Sequence, residues 1–361
     1  MTRRTLKTFW SRSLQRNLNS MTRSMVRAGA KAMESAVRSA AGTAPAVRPR
    51  RTTSATRRAK PAGGSDTGGG SAAGAWLPGL AATPGGVRRY RLYRPAGVDR
   101  AERLPLLVML HGCGQNAEEL AASSRMNRIA DRERFLVLYP EQDRLHNSQC
   151  CWNWFETRSG KAQIEAGIIE MAIDQVSLAQ PVDRGRVGLA GLSAGAGMAA
   201  LLATRRPGRY RAVAMHSGVP PGVAHSTASA LSAMRRGRAA MPLPHETVHG
   251  PLPGLLVIQG TADRVVSADN GTAAVELWAR VAGAEPRPPR RVQRGARRPA
   301  LITDYRTKPG RLVATLCEVD GLGHAWSGGA AGRSYSDPTG PDASRMIWSF
   351  LVKQFGVDKD G

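Results

Sequence analysis

The sequence predicts an α/β fold: a mostly parallel β-sheet covered on both faces by helices, with no large separate cap domain. Three observations carry that expectation. Short apolar runs alternate with helix-patterned segments from about residue 88 to residue 355. One run, Leu104–Leu110 (LPLLVML), is apolar throughout, as a strand buried on both faces must be. A strand, a tight glycine turn and a helix follow one another over 186–204, around Gly191-Leu192-Ser193-Ala194-Gly195. Such an alternating order makes a parallel sheet wrapped on both sides.

The elements follow in chain order. Over 5–40, Trp10, Leu14, Leu18, Met21, Met25, Ala28 and Ala32 recur at steps of three or four, with Arg12, Arg16, Arg23, Arg27 and Lys31 over much of the remaining surface. Residues 1–40 thus read as a basic amphipathic helical segment, suited to a polymer granule or anionic membrane surface, to packing on its own domain, or to a disordered tail. Residues 41–87 are rich in Ala, Gly, Pro, Ser, Thr and Arg, cannot bury a core, and read as a flexible linker. The catalytic domain is expected over 88–357. Strands are expected at 90–93, at Leu104–Leu110 and at 135–139, where Pro140 stops the run. Helices are expected over 117–132 and 162–180, the second ended by Pro181. Then come a strand at 186–191, a small-residue helix at 194–204, strands at 213–215 and 255–259, a helix at 271–283, a strand at Leu312–Val319 and a closing helix at 342–355. The run PRPPRRVQRGARRP within 284–300 fits neither period and reads as a basic loop insertion.

Charge describes appendages more than the fold. The chain carries 361 residues and a net charge of +25, with 42% hydrophobic residues, enough for a sizeable core. Residues 1–60 hold fifteen Lys or Arg against Glu34 alone, and 280–298 hold seven Arg against Glu285. Taken alone, such charge suggests a nucleic acid or an anionic membrane. The Arg clusters lack interleaved aromatics or a reading module, so no specific nucleic acid is expected. Cys113, Cys150, Cys151 and Cys317 form no zinc spacing, and no metal site is expected. A bridge from Cys113 to Cys150 or Cys151, or free thiols throughout, are both compatible with the spacing. No segment has the length and apolarity of a membrane span, and the N-terminus lacks the apolar core of a secretory signal.

The sharpest chemistry is the G-x-S-x-G pentapeptide. Between a strand and a helix it predicts a nucleophile elbow, in which flanking glycines permit a turn too tight for a side chain. Ser193 is then pushed out at a helix N-terminus, whose dipole favours negative charge. A serine hydroxyl needs a base, and the expected order is serine, acid, histidine. His324, on a glycine-rich loop after the strand Leu312–Val319, suits the base; His216, His225, His245 and His249 also follow the serine. Asp263, directly after the strand at 255–259, suits the acid that fixes the imidazole tautomer, with Asp269 the nearby alternative. Two backbone N–H groups should face the developing oxyanion: that of Ala194, and that of Cys113 on the loop His111-Gly112-Cys113-Gly114. His111 reads as structural. Trp152, Trp154 and Trp326 are candidate walls of a substrate pocket, or equally core filler.

On these residues the chain resembles the polyhydroxybutyrate depolymerase family of esterases, close to feruloyl and acetylxylan esterases. The resemblance rests on His111-Gly112-Cys113-Gly114-Gln115-Asn116-Ala117, Cys151-Trp152-Asn153-Trp154-Phe155, Gly191-Leu192-Ser193-Ala194-Gly195, His216-Ser217-Gly218, Gln259-Gly260-Thr261-Ala262-Asp263 and Gly323-His324-Ala325-Trp326. It implies an α/β-hydrolase fold, a triad of Ser193, Asp263 and His324, and hydrolysis of carboxylic esters through an acyl-enzyme without metal or cofactor. Polyhydroxyalkanoate or its oligomers are the implied substrate, with feruloyl, acetylxylan and short-chain esters as the alternative. Members are commonly extracellular; with no signal visible, a cytoplasmic or granule-associated location stays open. Two readings from other classes remain: a basic protein binding nucleic acid or membrane, and a hydrolase-like fold without catalysis.

Overall fold

The computed structural model describes residues 74–237 and 250–356. The chain divides into two units, Met1–Gly69 and Gly70–Gly361, and everything described lies in the second. The segment expected to be a basic amphipathic helix, with its granule or membrane role, lies outside the described residues, as do His245 and His249.

The centre of the domain is one twisted sheet. Five strands run parallel in the order β4 (Leu136–Pro140), β3 (Leu104–Leu110), β5 (Val182–Leu192), β6 (Ala212–His216) and β7 (Gly254–Gly260), and β11 (Leu312–Val319) adds to β7 in the same sense. Their apolar runs need no alternation because both faces are covered. In β3, Leu106, Val108 and Leu110 enter one core layer, while Leu107 and Met109 enter the other. The first layer is closed by α3 (Lys161–Ala179), α4 (Ala194–Arg205) and α6 (Asp269–Ala282). The second is closed by α1 (Ala117–Ser124), α2 (Met126–Glu133) and α7 (Ala343–Phe355).

The margins depart from expectation. The fold does not begin near Arg88: β1 (Ala75–Thr83) forms an antiparallel hairpin with β2 (Gly86–Arg94), which pairs with β4. The first strand was hidden in the expected linker because it is a half-exposed edge containing Pro78 and Gly79. Gly79 lies under the Tyr90 ring, where a Cβ would come within 2.1 Å, so smallness here serves packing. The expected helix over 117–132 is two helices, broken where Arg125 takes a left-handed conformation with φ 58°. The expected basic loop at 284–300 is partly strand: β8 (Glu285–Pro286) and β9 (Arg290–Val292) pair with β10 (Ala300–Arg306), which runs antiparallel to β11. Their backbones are held by β10, so no side-chain alternation is required. A further helix, α5 (Thr227–Arg236), not among the expected elements, starts at a Ser226–Ser229 capping box.

Candidate active site

Strand β5 delivers Ser193 to the C-terminal edge of the sheet, and α4 begins at the next residue. Ser193 sits at φ 56° and ψ −119°, a conformation L-residues adopt only where surroundings enforce it. The enforcement is steric. A Cβ on Gly191 would lie 2.3 Å from the Gly195 carbonyl carbon, and one on Gly195 would lie 2.1 Å from the Leu110 carbonyl oxygen. Ser193 N–H donates to the His216 carbonyl at 2.9 Å, tying the elbow to the end of β6.

The loop after β3 lies against this elbow, with the Cβ position of Gly112 3.5 Å from Ser193 Cβ. Its backbone donors are nearly all used: Gly112 N–H reaches Gln115 Oε1 at 3.0 Å and Gly114 N–H reaches the Gln149 carbonyl at 2.8 Å. Cys113 N–H has no partner among the described residues, nor has Ala194 N–H at the start of α4. Two unspent donors flanking a turned-out serine suit an oxyanion. Cys113 is also bonded to Cys151, which resolves the open pairing and clamps this loop to the Cys151-Trp152-Asn153-Trp154 segment; Cys150 and Cys317 are free.

On the other side, β7 ends in the loop carrying Asp263, and β11 in the loop carrying His324. The two are stitched together: Thr261 N–H donates to the Val319 carbonyl, Ala262 N–H to that of Leu322, and a Cβ on Gly260 would strike the latter oxygen at 2.1 Å. His324 Nδ1 lies 2.8 Å from Asp263 Oδ2. The second carboxylate oxygen accepts from the N–H groups of Val265 and Val266, each at 2.9 Å. Burial pushes the Asp263 carboxyl up, but the His324 hydrogen bond and charge, with those two N–H groups, hold it below its ordinary value. Asp263 is therefore a fixed, ionised acceptor that makes His324 Nδ1 the donor. Asp269, the alternative, is exposed in the first turn of α6 and accepts from Ser267. Ser193 Oγ makes no hydrogen bond among the described residues.

The other histidines have different work. His216 is fully buried, its Nε2 accepts from Ser327 N–H at 3.0 Å, and burial, then the nearby His324, depress it to about 3. A ring spent as an acceptor inside the core is a neutral post for the His324 loop. His111 is likewise buried, accepts from Gln142 N–H at 3.0 Å and is pushed down to about 4 by burial. His225 is exposed.

The tryptophans correct the expectation of an aromatic pocket wall. Trp326 is wholly buried, stacked on His216 and bonded through its indole N–H to Ser344. Trp152 is equally buried against His111, its indole N–H without a partner among the described residues. Trp154 is 7% exposed and covers Gly197 on α4. Smallness at 197 makes room for this ring, which braces the nucleophile helix. Sequence reasoning missed the support beneath: Glu165 on α3, 1% exposed, accepts from Asn153 N–H and side-chain amide, from Gln142 and from buried Arg88. The available signal was a Glu among the apolar positions of a helix, a signal that Glu170, also buried on α3, shares.

Against this geometry, the profile of the family described as Esterase PHB depolymerase matches residues 88–291. A poly(3-hydroxyalkanoate) depolymerase C of Paucimonas lemoignei is 29% identical over 240 residues, 62% of this chain and 57% of that protein. A feruloyl esterase B of Neurospora crassa is 26% identical over 54% of this chain and 71% of its own length. The chain thus spans little more than half of the depolymerase it matches. Among solved structures, an acetyl xylan esterase from Aspergillus awamori superposes with a TM-score of 0.53 at 18% identity, over 66% of this chain and 89% of that one. At that identity the likeness shows the fold alone, and the fold is that of the α/β-hydrolases. With the family profile spanning more than half of the sequence, the chain belongs to the Esterase PHB depolymerase family.

Proposed function

We propose that the protein hydrolyses carboxylic esters through an acyl-enzyme, and that its substrate is a polyhydroxyalkanoate or an oligomer of it. The observation that carries the reading is the pairing of a buried, ionised Asp263 with His324 at the same edge of the parallel sheet as a serine elbow whose flanking N–H groups are unspent. Asp263 accepts from Nδ1–H of His324 and leaves the Nε2 lone pair for the substrate side. Nε2 takes the Ser193 hydroxyl proton as Oγ bonds to the ester carbonyl carbon. The tetrahedral oxyanion is held by Cys113 N–H and Ala194 N–H, each worth about 10²- to 10³-fold in rate. The carbon–oxygen bond to the alcohol then breaks, and His324 protonates the leaving alcohol. Water, deprotonated by the same ring, attacks the acyl carbon, releases the acid and restores Ser193.

The polyester substrate is supported by likeness to the Paucimonas depolymerase. Likeness to the Neurospora feruloyl esterase supports a second reading, an ester borne on a carbohydrate. The test measures release of 3-hydroxybutyrate from amorphous polymer granules and hydrolysis of short p-nitrophenyl esters. Ser193→Ala should lower both rates by about 10⁴-fold or more, with the fold intact. Cleavage of the soluble ester alone by the wild type moves the substrate to the second reading. Full activity of the Ser193→Ala chain overturns the mechanism.

A further inference from the structure

Away from the elbow, a groove of about 960 Å³ opens on the side of the sheet that carries α7. Helix α7 packs over β5, β6 and β7, and α6 covers the opposite face of β11. Part of the α7-side face of β10 and β11 forms the groove floor. The floor is apolar, with Ile302, Leu312 and Met346 only partly buried. The walls are cationic. Ten arginines and one lysine line the groove against Asp304 and Asp342, an excess of nine positive charges. They come from unrelated segments: α2 and its start, β9 and the loop after it, β10, the turn before β11, and α7. None of Ser193, Asp263, His324 or Cys113 contributes.

Some of these charges are neutralised. Arg290 and Arg306 share Asp304, Arg298 meets Asp337, Arg345 meets Asp342, and Arg132 meets Glu133. Arg125 and Arg297 are fixed by hydrogen bonds to backbone carbonyls of Gly328 and Gly340, which orient a guanidinium without cancelling its charge. The side chains of Arg128, Arg294, Arg311 and Lys353 have no partner among the described residues. The groove therefore holds at least six uncompensated cations around an apolar floor.

We propose that this groove binds single-stranded nucleic acid through its phosphates, without reading base sequence. The number of charges decides against a small anion or a fatty acid, since one carboxylate cannot balance six uncompensated cations. A flat bilayer does not follow a concave groove. A strand with one phosphate per nucleotide supplies repeated charge, and its sugars and bases give the apolar floor a partner that bare polyphosphate would not. Among the described residues the lining's only aromatic is Phe350, 6% exposed, and it offers no platform to stack bases or select among them.

The test uses the full chain, whose basic residues 1–60 would themselves attract nucleic acid. A labelled strand of about 20 mixed nucleotides is titrated by fluorescence anisotropy across a salt series. The comparison is between wild type and the quadruple variant Arg128→Ser, Arg294→Ser, Arg311→Ser, Lys353→Ser, both verified folded by equal thermal midpoints. Four lost phosphate contacts should flatten the slope of log K against log salt by about 3 and weaken binding near 0.1 M salt by roughly a hundredfold. Photo-cross-links from the wild type should fall within 290–312 and 343–353. Equal affinity and slope for the two proteins would place binding outside the groove and overturn the proposal, as would no binding by the wild type. Binding of inorganic polyphosphate with no binding of the strand would overturn the choice of ligand. A single-residue repeat with Arg311→Ser alone, expected to flatten the slope by about 0.7, keeps the test decisive if the quadruple chain misfolds.

Discussion

At the scale of single residues, the site is built from groups denied their usual freedom. Ser193 is held at positive φ by two glycines whose neighbours leave no space for a Cβ, and Asp263 has both carboxylate oxygens engaged. His111 and His216 are the less obvious case, because each accepts a backbone N–H in the core and so must stay neutral. In the unfolded chain these rings protonate near 6.5; in the fold they are depressed to about 4 and about 3. Below pH 6.5 the unfolded chain therefore binds more protons than the folded one. Stability is complete above that pH and falls as the pH drops toward 4, by about 2 kcal/mol per ring at pH 5. Asp263 acts in a lower window, its contribution present above its ordinary value of 3.8 and lost as the pH falls below it. Urea unfolding at pH 7.5 and pH 5 should differ by about 4 kcal/mol, and His216→Gln should roughly halve that difference. Equal stability at the two pH values would mean the rings are not buried neutral. The elbow at Ser193 and the Asp263–His324 pair were legible because each residue sits in a motif whose order and strand context suit the proposed chemistry. The sequence left the roles of Trp152 and Trp326 undecided, since a flat ring with one donor serves a cleft or a core equally well, and only burial chooses.

At the scale of elements, strands buried on both faces announce themselves by composition, and Leu312–Val319 has the bounds its apolar run predicts. Edges do not, because an edge strand is specified by backbone pairing to a neighbour. The strands β8 and β9 accordingly hide in an arginine–proline run, and β1 hides in a linker composition. The disulfide shows the same limit: adjacent Cys150 and Cys151 gave two possible partners, and the fold brings Cys151 to Cys113. Its placement ties the loop that offers Cys113 N–H to a segment resting on Glu165. Replacing Cys151 with Ala opens a closed loop of 38 residues and should cost about 2–4 kcal/mol. It should also let the proposed oxyanion donor wander, lowering kcat more than it raises KM, because such a donor acts on the transition state. Steady-state kinetics beside denaturant unfolding separate the two effects. A stability loss with kcat unchanged would show that Gln115 and Gln149 hold the loop without the bridge.

At the scale of the whole molecule, the hairpin at one margin of the sheet is coupled to the catalytic loops at its centre. Trp76 on β1 packs against Tyr93 and Tyr139, with ring centroids 5.7 and 5.5 Å apart, and Ala81 is fully buried. At the third residue of β2, Arg88 enters the core and meets Gln142 and Glu165, the same pair that steadies the His111 loop and the Cys151 segment. A chain begun at Arg88, the boundary composition suggests, would lose β1 and place a charged amino terminus beside this buried pair. A chain begun at Gly74 would keep both. Losing the apolar contacts of Trp76, Leu77 and Ala81 should cost roughly 3–5 kcal/mol, a fall in Tm of about 10 °C for a domain of this size. Because the lost anchor leads through Gln142 to the oxyanion loop, ester hydrolysis should fall as well, at temperatures where the shortened chain remains folded. Thermal melts and p-nitrophenyl ester rates of the two truncations measure both effects. Matching melts would remove the hairpin from the folded unit, and a lower Tm with an unchanged rate would break the link from Arg88 to the catalytic loop.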